Sequence, residues 1–151
     1  MCGIAGALAL DTQAFSVTRE YVDRMRETLV HRGPDGAGTW ISDDARIGLG
    51  FRRLSIIDLS DAAMQPMTNE DGSLRLVYNG EIYNHTSIRR ELEAEGHVFR
   101  TDHSDTEVIV HGFEQWGIDV VHRFRGMFAF ALWDGRAGER AAAVLAVGAP
   151  V

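Results

Sequence analysis

Seven consecutive residues, Met127-Phe128-Ala129-Phe130-Ala131-Leu132-Trp133, are all apolar. A half-solvated strand would alternate with polar residues, so this run predicts a central strand, one that needs neighbours. The chain offers several. Ile4 to Leu10 is an apolar run suited to a buried strand, Thr39 to Ser42 and Ile47 to Phe51 read as two short strands turning at Asp43-Asp44, and Leu54 to Ile57 follows after Arg52-Arg53. Leu74 to Tyr78 is another strand, opened by the turn Asp71-Gly72. Helices fall between them. Thr18 to Val30 places Tyr21, Val22, Met25, Leu29 and Val30 on one stripe, with Thr18 and Glu20 suited to its first turn. Ser87 to Glu95 is a helix stopped by Gly96. Ser104-Asp105-Thr106-Glu107 fits a capping box before Val108, Ile109, Val110, Phe113 and Trp116, which would put Asp105 at that helix's positive end. Val120 to Phe124 is a short helical turn.

Glycine and proline punctuate the rest. Gly33, Pro34, Gly36 and Gly38 make His31 to Gly38 an ordered, irregular loop through which no helix or strand is expected to run. Asp58 to Asn69, with Gln65-Pro66, has no clean period and reads as loop. Asn79-Gly80 has the sequence of a hairpin turn, yet Ile82 to His85 does not alternate like a return strand, so the pair is expected at a strand's end facing a loop. From Gly135 to Val151 the composition shifts to alanine, glycine and valine without a sharp period.

A length of 151 residues and 45% hydrophobic content suit one globular domain. The formal charge of −7, with no basic run, argues against a nucleic-acid or anionic-membrane partner. Gly3 to Leu10 lacks a basic flank and is too short to span a membrane. The single cysteine cannot form an internal disulfide, and the expectation is a cytoplasmic chain. The six histidines show no ligand spacing, so no metal site is expected.

That cysteine is Cys2. If Met1 is removed, one residue carries both a thiol and an α-amine, and such an amine titrates near about 7.7–8, low enough to serve as a base at neutral pH. Taken alone, a cysteine at position two is more often incidental. Arg32, Asp35, Arg53, Asn79, Glu81 and Asp105 likewise have ordinary accounts as surface ion pairs, caps and turns. Together with Cys2 they supply something more specific. A thiol, a side-chain amide beside a glycine N–H, a guanidinium and a carboxylate are what attack on an amide bearing an amino-acid head group requires.

The motifs Cys2-Gly3-Ile4-Ala5-Gly6, His31-Arg32-Gly33-Pro34-Asp35, Arg53-Leu54-Ser55-Ile56-Ile57-Asp58, Asn79-Gly80-Glu81-Ile82-Tyr83-Asn84, Ser104-Asp105-Thr106-Glu107-Val108-Ile109 and Arg125-Gly126-Met127-Phe128-Ala129-Phe130 occur in this order. As a set they closely resemble the glutaminase domain, a class II glutamine amidotransferase, of glutamine-hydrolysing asparagine synthetases. The resemblance covers residues 1–134. It implies an α+β fold of the N-terminal-nucleophile hydrolase type, a four-layer αββα sandwich with two antiparallel sheets. It implies roles as well: Cys2 attacks the glutamine carboxamide, the Asn79 side chain and Gly80 N–H hold the oxyanion, Arg53 binds the α-carboxylate and Asp105 the α-ammonium. Glutamine contacts are further implied over Arg53, Leu54, Ser55, Ile56 and Ile57 and over Asn79, Gly80 and Glu81. Arg32 and Asp35 are expected to shape the loop rather than react.

Residues 135–151 do not resemble the family's continuation, in which a synthetase domain binds ATP with Mg²⁺ and amidates aspartate. The expectation is therefore a shortened chain with a divergent tail, no synthetase domain, no cofactor in this domain, L-glutamine as its small-molecule partner, and at most glutaminase activity. Two alternatives stand beside it: an inactive remnant, or the amidotransferase domain of a relative with another acceptor.

Overall fold

Thr18 begins the first helix as expected, its Oγ1 accepting the Tyr21 N–H at 3.2 Å. The computed structural model describes residues 2–11, 13–55, 64–102, 104–136 and 142–148. In chain order these form β1 (Gly3–Leu8), α1 (Arg19–Glu27), β2 (Gly36–Ile41), β3 (Ile47–Arg53), β4 (Met67–Thr68), β5 (Leu74–Ile82), α2 (His85–Ala94), α3 (Glu107–Trp116), a 3₁₀ segment (Gly117–Arg123), β6 (Gly126–Asp134) and β7 (Ala142–Gly148). No helix among the described residues is long and apolar enough to cross a membrane.

The strands make two antiparallel sheets, ordered β1-β3-β2 and β4-β5-β6-β7. Strand alternation assigns their faces. Ile47, Leu49 and Phe51 of β3 meet Val77 of β5 and Trp133 of β6 between the sheets, with Ile4 and Ala131 against them. The opposite face of the second sheet, through Leu76, Tyr78, Phe128, Phe130 and Leu132, packs on Ile88 and Leu92 of α2 and Val108, Ile109 and Phe113 of α3. Val22 of α1 closes the outer face of the first sheet near Gly48 and Gly50. The layers thus run helix, sheet, sheet, helices: the αββα sandwich. An apolar cleft of about 260 Å³ opens between the sheets beside Ile4, Leu49, Val77 and Leu145.

Several local expectations change. β2 begins at Gly36, inside the stretch expected to be loop, and Gly38 is there for proximity: a Cβ on it would lie 1.9 Å from the Gln65 carbonyl oxygen. β5 does not stop at Asn79-Gly80 but continues to Ile82, pairing Asn79 with Ala129 and Gly80 with Phe128. A two-residue β4 lies within the segment expected to be loop. The tail contributes β7, paired with β6 from Phe128↔Gly148 to Asp134↔Ala142, which makes β6 the interior strand its apolar run requires. β7 leaves Leu145 and Val147 over 80% exposed.

The capping box does not form either. Thr106 caps α3 without a side-chain bond, and Glu107 turns instead to the preceding loop. Its carboxylate accepts the Arg100 N–H at 2.8 Å, the Thr101 N–H at 2.9 Å and the Thr101 hydroxyl at 2.5 Å. Burial alone would raise its pKa, but the neighbouring His111 imidazole, 3.5 Å away, and the bonds from Arg100 and Thr101 outweigh burial and hold it at about 2. Glu107→Ala strands these donors and is expected to cost roughly 3 kcal/mol, lowering Tm by about 6–12 °C in a thermal melt.

Candidate active site

Cys2 sits one residue before the first β1 pair, Gly3↔Arg52, so the register extended by one sets it opposite Arg53. Alternation turns Cys2, with Ile4, and Arg53, with Phe51, toward the second sheet. The cysteine is free and half-buried, while Arg53 is 6% exposed. The next peptide grips the thiol: the Leu54 N–H donates to Cys2 Sγ at 3.4 Å, and Sγ approaches the Leu54 carbonyl at 3.8 Å. Arg32 secures the backbone beside it, its Nε donating to the Cys2 carbonyl at 3.3 Å.

The glycine-proline loop shapes this corner. Asp35 donates its N–H to the Arg53 carbonyl at 2.9 Å and accepts the Ser55 N–H on Oδ2 at 2.8 Å, so it braces the chain on both sides of Leu54. Ile56 and Ile57, also expected at the site, lie outside the described residues.

The second group stands on β5. Asn79 shares the inner face with Val77, whose side chain belongs to the cluster that packs against Cys2. Backbone N–H groups two residues apart on a strand point the same way. On the β5 edge that β4 leaves uncovered, the Tyr78 N–H is taken by Gln65 Oε1 at 2.5 Å and the Ile82 N–H by Asp105 Oδ2 at 2.9 Å. The Gly80 N–H points to that same edge and has no partner among the described residues. Gly80 is exposed there, and its missing side chain is a packing requirement, since a Cβ would lie 2.3 Å from the Met127 carbonyl oxygen. Glu81 is exposed, with its carbonyl pressed against Gly126.

Asp105 does not cap α3. It reaches back to β5, where Oδ2 also accepts the Tyr78 hydroxyl. Burial and the neighbouring Asp105 carboxylate push the Tyr78 phenol well above its ordinary pKa, so the hydroxyl remains a donor. Cys2, Leu54 and Arg53 therefore gather at one end of the first sheet, and Asn79, Gly80 and Asp105 along one edge of the second. Residues 64–66 link the two groups. Met64 packs on the same buried cluster as Cys2, the Gln65 carbonyl overlies Gly38, and the Gln65 side chain, 5% exposed, ends on β5.

Sequence reasoning missed Gln65 and Tyr78. Gln65 lies in a stretch without a clean period and Tyr78 ends an apolar run, and each matters through a bond to a residue 13 or 27 positions away.

A search of solved structures matches this fold to the glutamine phosphoribosylpyrophosphate amidotransferase from B. subtilis, with a TM-score of 0.67 and 22% identity, covering 88% of this chain and 34% of that one. Among curated proteins the chain is 42% identical over 135 residues to asparagine synthetase [glutamine-hydrolyzing] 1 of Bacillus subtilis (strain 168). It is 40% identical over 143 residues to the amidase chyE of Penicillium rubens. Each alignment covers 89% of this chain but 21% of the relative, so the chain spans about a fifth of the length of the proteins it matches. The family description that fits residues 1–147 is the glutamine amidotransferase domain, and it is to this family that the chain belongs.

Proposed function

We propose that this domain hydrolyses L-glutamine to glutamate and ammonia with Cys2 as nucleophile, and that the ammonia serves the ATP-dependent amidation of aspartate to asparagine. The observation that carries the reading is the grip of the Leu54 peptide on the Cys2 sulfur beside the buried Arg53. Once Met1 is lost, the α-amine of Cys2 takes the thiol proton and the sulfur attacks the carboxamide carbon. The oxyanion is held by the Asn79 amide and the open Gly80 N–H, donors already fixed in a paired strand. Collapse returns the proton to the leaving nitrogen and expels ammonia; water, deprotonated by the same amine, then cleaves the glutamyl thioester. Arg53 pairs with the α-carboxylate and Asp105 with the α-ammonium, which fixes the substrate's register.

The acceptor reaction, with its ATP and Mg²⁺, belongs in this reading to a synthetase part, and the hydrolysis itself calls for no cofactor. Its support is the likeness to asparagine synthetases; the comparable likeness to an amidase keeps another acceptor as the second reading. The proposed compartment is the cytoplasm, supported by a lone cysteine and no disulfide.

Intact-mass analysis of the purified chain is expected to show the loss of Met1. A glutamine-analogue diazoketone should then label Cys2, and ammonia release from glutamine should vanish in Cys2→Ala. A retained methionine in an active chain, or labelling that survives Cys2→Ala, refutes the mechanism.

Tyr78 generates a further expectation. Tyr78→Phe removes one of the two donors on Asp105 Oδ2 while leaving the ring in the core. A loss of about 1 kcal/mol in holding Asp105 should raise KM for glutamine roughly fivefold with kcat nearly unchanged, read from initial rates of glutamate formation.

A further inference from the structure

On the helix side of the second sheet, away from the strand face that carries Cys2, two histidines and a glutamate converge. His97 directly follows Gly96, whose φ of +98° ends α2, and its N–H closes that helix on the Leu92 carbonyl at 3.0 Å. His111 and Glu114 lie three residues apart on α3, hence on one face. Glu114 Oε2 is 3.1 Å from His111 Nδ1 and 3.7 Å from His97 Nδ1. One ligand atom from each of the three residues lies within 4.8 Å of the other two.

The outer atoms of the cluster are arranged as a metal's supporting shell would be. His97 Nε2 is 3.1 Å from Gln115 Oε1, an acceptor, so that nitrogen carries the proton and Nδ1 presents a lone pair to Glu114. His111 Nε2 is buried, makes no hydrogen bond, and faces Glu107 Oε1 at 3.5 Å and Glu70 Oε1 at 3.8 Å. A proton on that nitrogen suits both carboxylates, and Nδ1 is directed at Glu114 Oε2, meeting it as a donor when protonated and offering its lone pair to a metal when not. Glu114 Oε1 is held by the Asn69 side-chain amide at 2.8 Å. The facing nitrogens and carboxylate oxygen call for a positive charge between them, which either a proton on His111 Nδ1 or a metal ion supplies.

We propose that His97, His111 and Glu114 form a binding site for a divalent cation of the zinc class. Two imidazole nitrogens and one carboxylate oxygen are a three-ligand zinc set with a fourth position for water. Zinc bonds of about 2.0–2.1 Å in a tetrahedron set neighbouring ligands about 3.3 Å apart; the two carboxylate–imidazole distances, 3.1 and 3.7 Å, lie either side of that spacing, and all three ligand atoms lie within 4.8 Å of one another. Each ligand has its orienting partner: Gln115 for His97, Glu107 for His111, Asn69 for Glu114. His97 and Glu114 are 17% and 21% exposed at their side chains, which gives an ion a way in, while His111 is 2% exposed and anchors the floor. A bound ion would tie the end of α2 to α3 and, through Asn69, to the turn between β4 and β5. It would brace the segment from His97 to Thr106, which bears Asp105. The histidine spacing hides the site, because 14 residues and a helix boundary separate the pair in sequence.

The test uses the whole chain as Cys2→Ala, so that the thiol cannot bind metal. Titration with zinc chloride in a calorimeter is expected to give one equivalent bound per chain, with a rise in Tm. Cobalt(II) should give the visible absorption of a four-coordinate site. His97→Ala, at a partly exposed position, and Glu114→Gln should each weaken zinc binding at least tenfold while keeping the circular dichroism of the parent. No zinc bound at tenfold excess, binding unaltered in both variants, or His111 ring ¹⁵N shifts that are the same with and without zinc would overturn the proposal. None of these readouts involves glutamine, so the outcome is independent of the proposed glutaminase chemistry.

Discussion

β3 is hydrogen-bonded along both of its edges, to β1 from Gly3 to Leu8 and to β2 from Gly36 to Ile41. A strand held on both sides cannot shift by one residue without turning Ile47, Leu49 and Phe51 out of the interlayer core and Gly48 and Gly50 into it. That fixed register sets Arg53 on the inner face and carries the chain directly into Leu54, whose peptide meets Cys2. Arg52, one residue earlier, is turned outward to α1, where its guanidinium lies 3.5 Å from Glu27. Two adjacent arginines thus receive opposite environments from the pleat alone. The thiol's position follows from core packing many residues away, since the apolar stripe that locks β3 is the same stripe on which Ile4 and Cys2 pack.

The order of strands and helices was legible from apolar runs and helical stripes, because burial against a neighbouring layer is what those patterns encode. Short polar signals were not, because their meaning depends on what the fold brings beside them. Asn79-Gly80 has a turn's sequence, yet nine register pairs with β6 carry the strand through it, and Gly80 is dictated by Met127 and Phe128 across the ladder. Gly38 is dictated by the Gln65 carbonyl. Glu107 stands where a capping box would put it, but a loop offering three donors competes for its carboxylate and wins. The tail shows the limit from the other side: alanine and valine give little period to read, and β7 exists because β6 presents an edge to pair with.

The candidate site divides the same way. Cys2, Arg53, Asn79, Gly80 and Asp105 could be named from the sequence because each sits in a distinctive motif. What holds them could not. Leu54 acts through its peptide, which any residue supplies, and Gln65 and Tyr78 act through bonds that no local pattern announces. Arg32 is the intermediate case, recognisable as part of the loop and shown by the fold to touch the backbone of Cys2 itself.

The brevity of β4 follows from this accounting. It pairs only Met67 with Leu76 and Thr68 with Arg75. Continued in the same register by the four further pairs that reach Gly80, it would cover the edge with backbone acceptors and consume the N–H proposed to hold the oxyanion. Leaving the edge bare would be no better, since an open edge binds any strand that meets it. The fold uses side chains instead, Gln65 on the Tyr78 N–H and Asp105 on the Ile82 N–H. These two single-point caps flank Gly80 and remove its neighbours from competition, leaving its N–H as the donor without a partner among the described residues. An oxyanion contact built this way needs no loop to close over it, because the ladder to β6 already fixes the direction of the N–H.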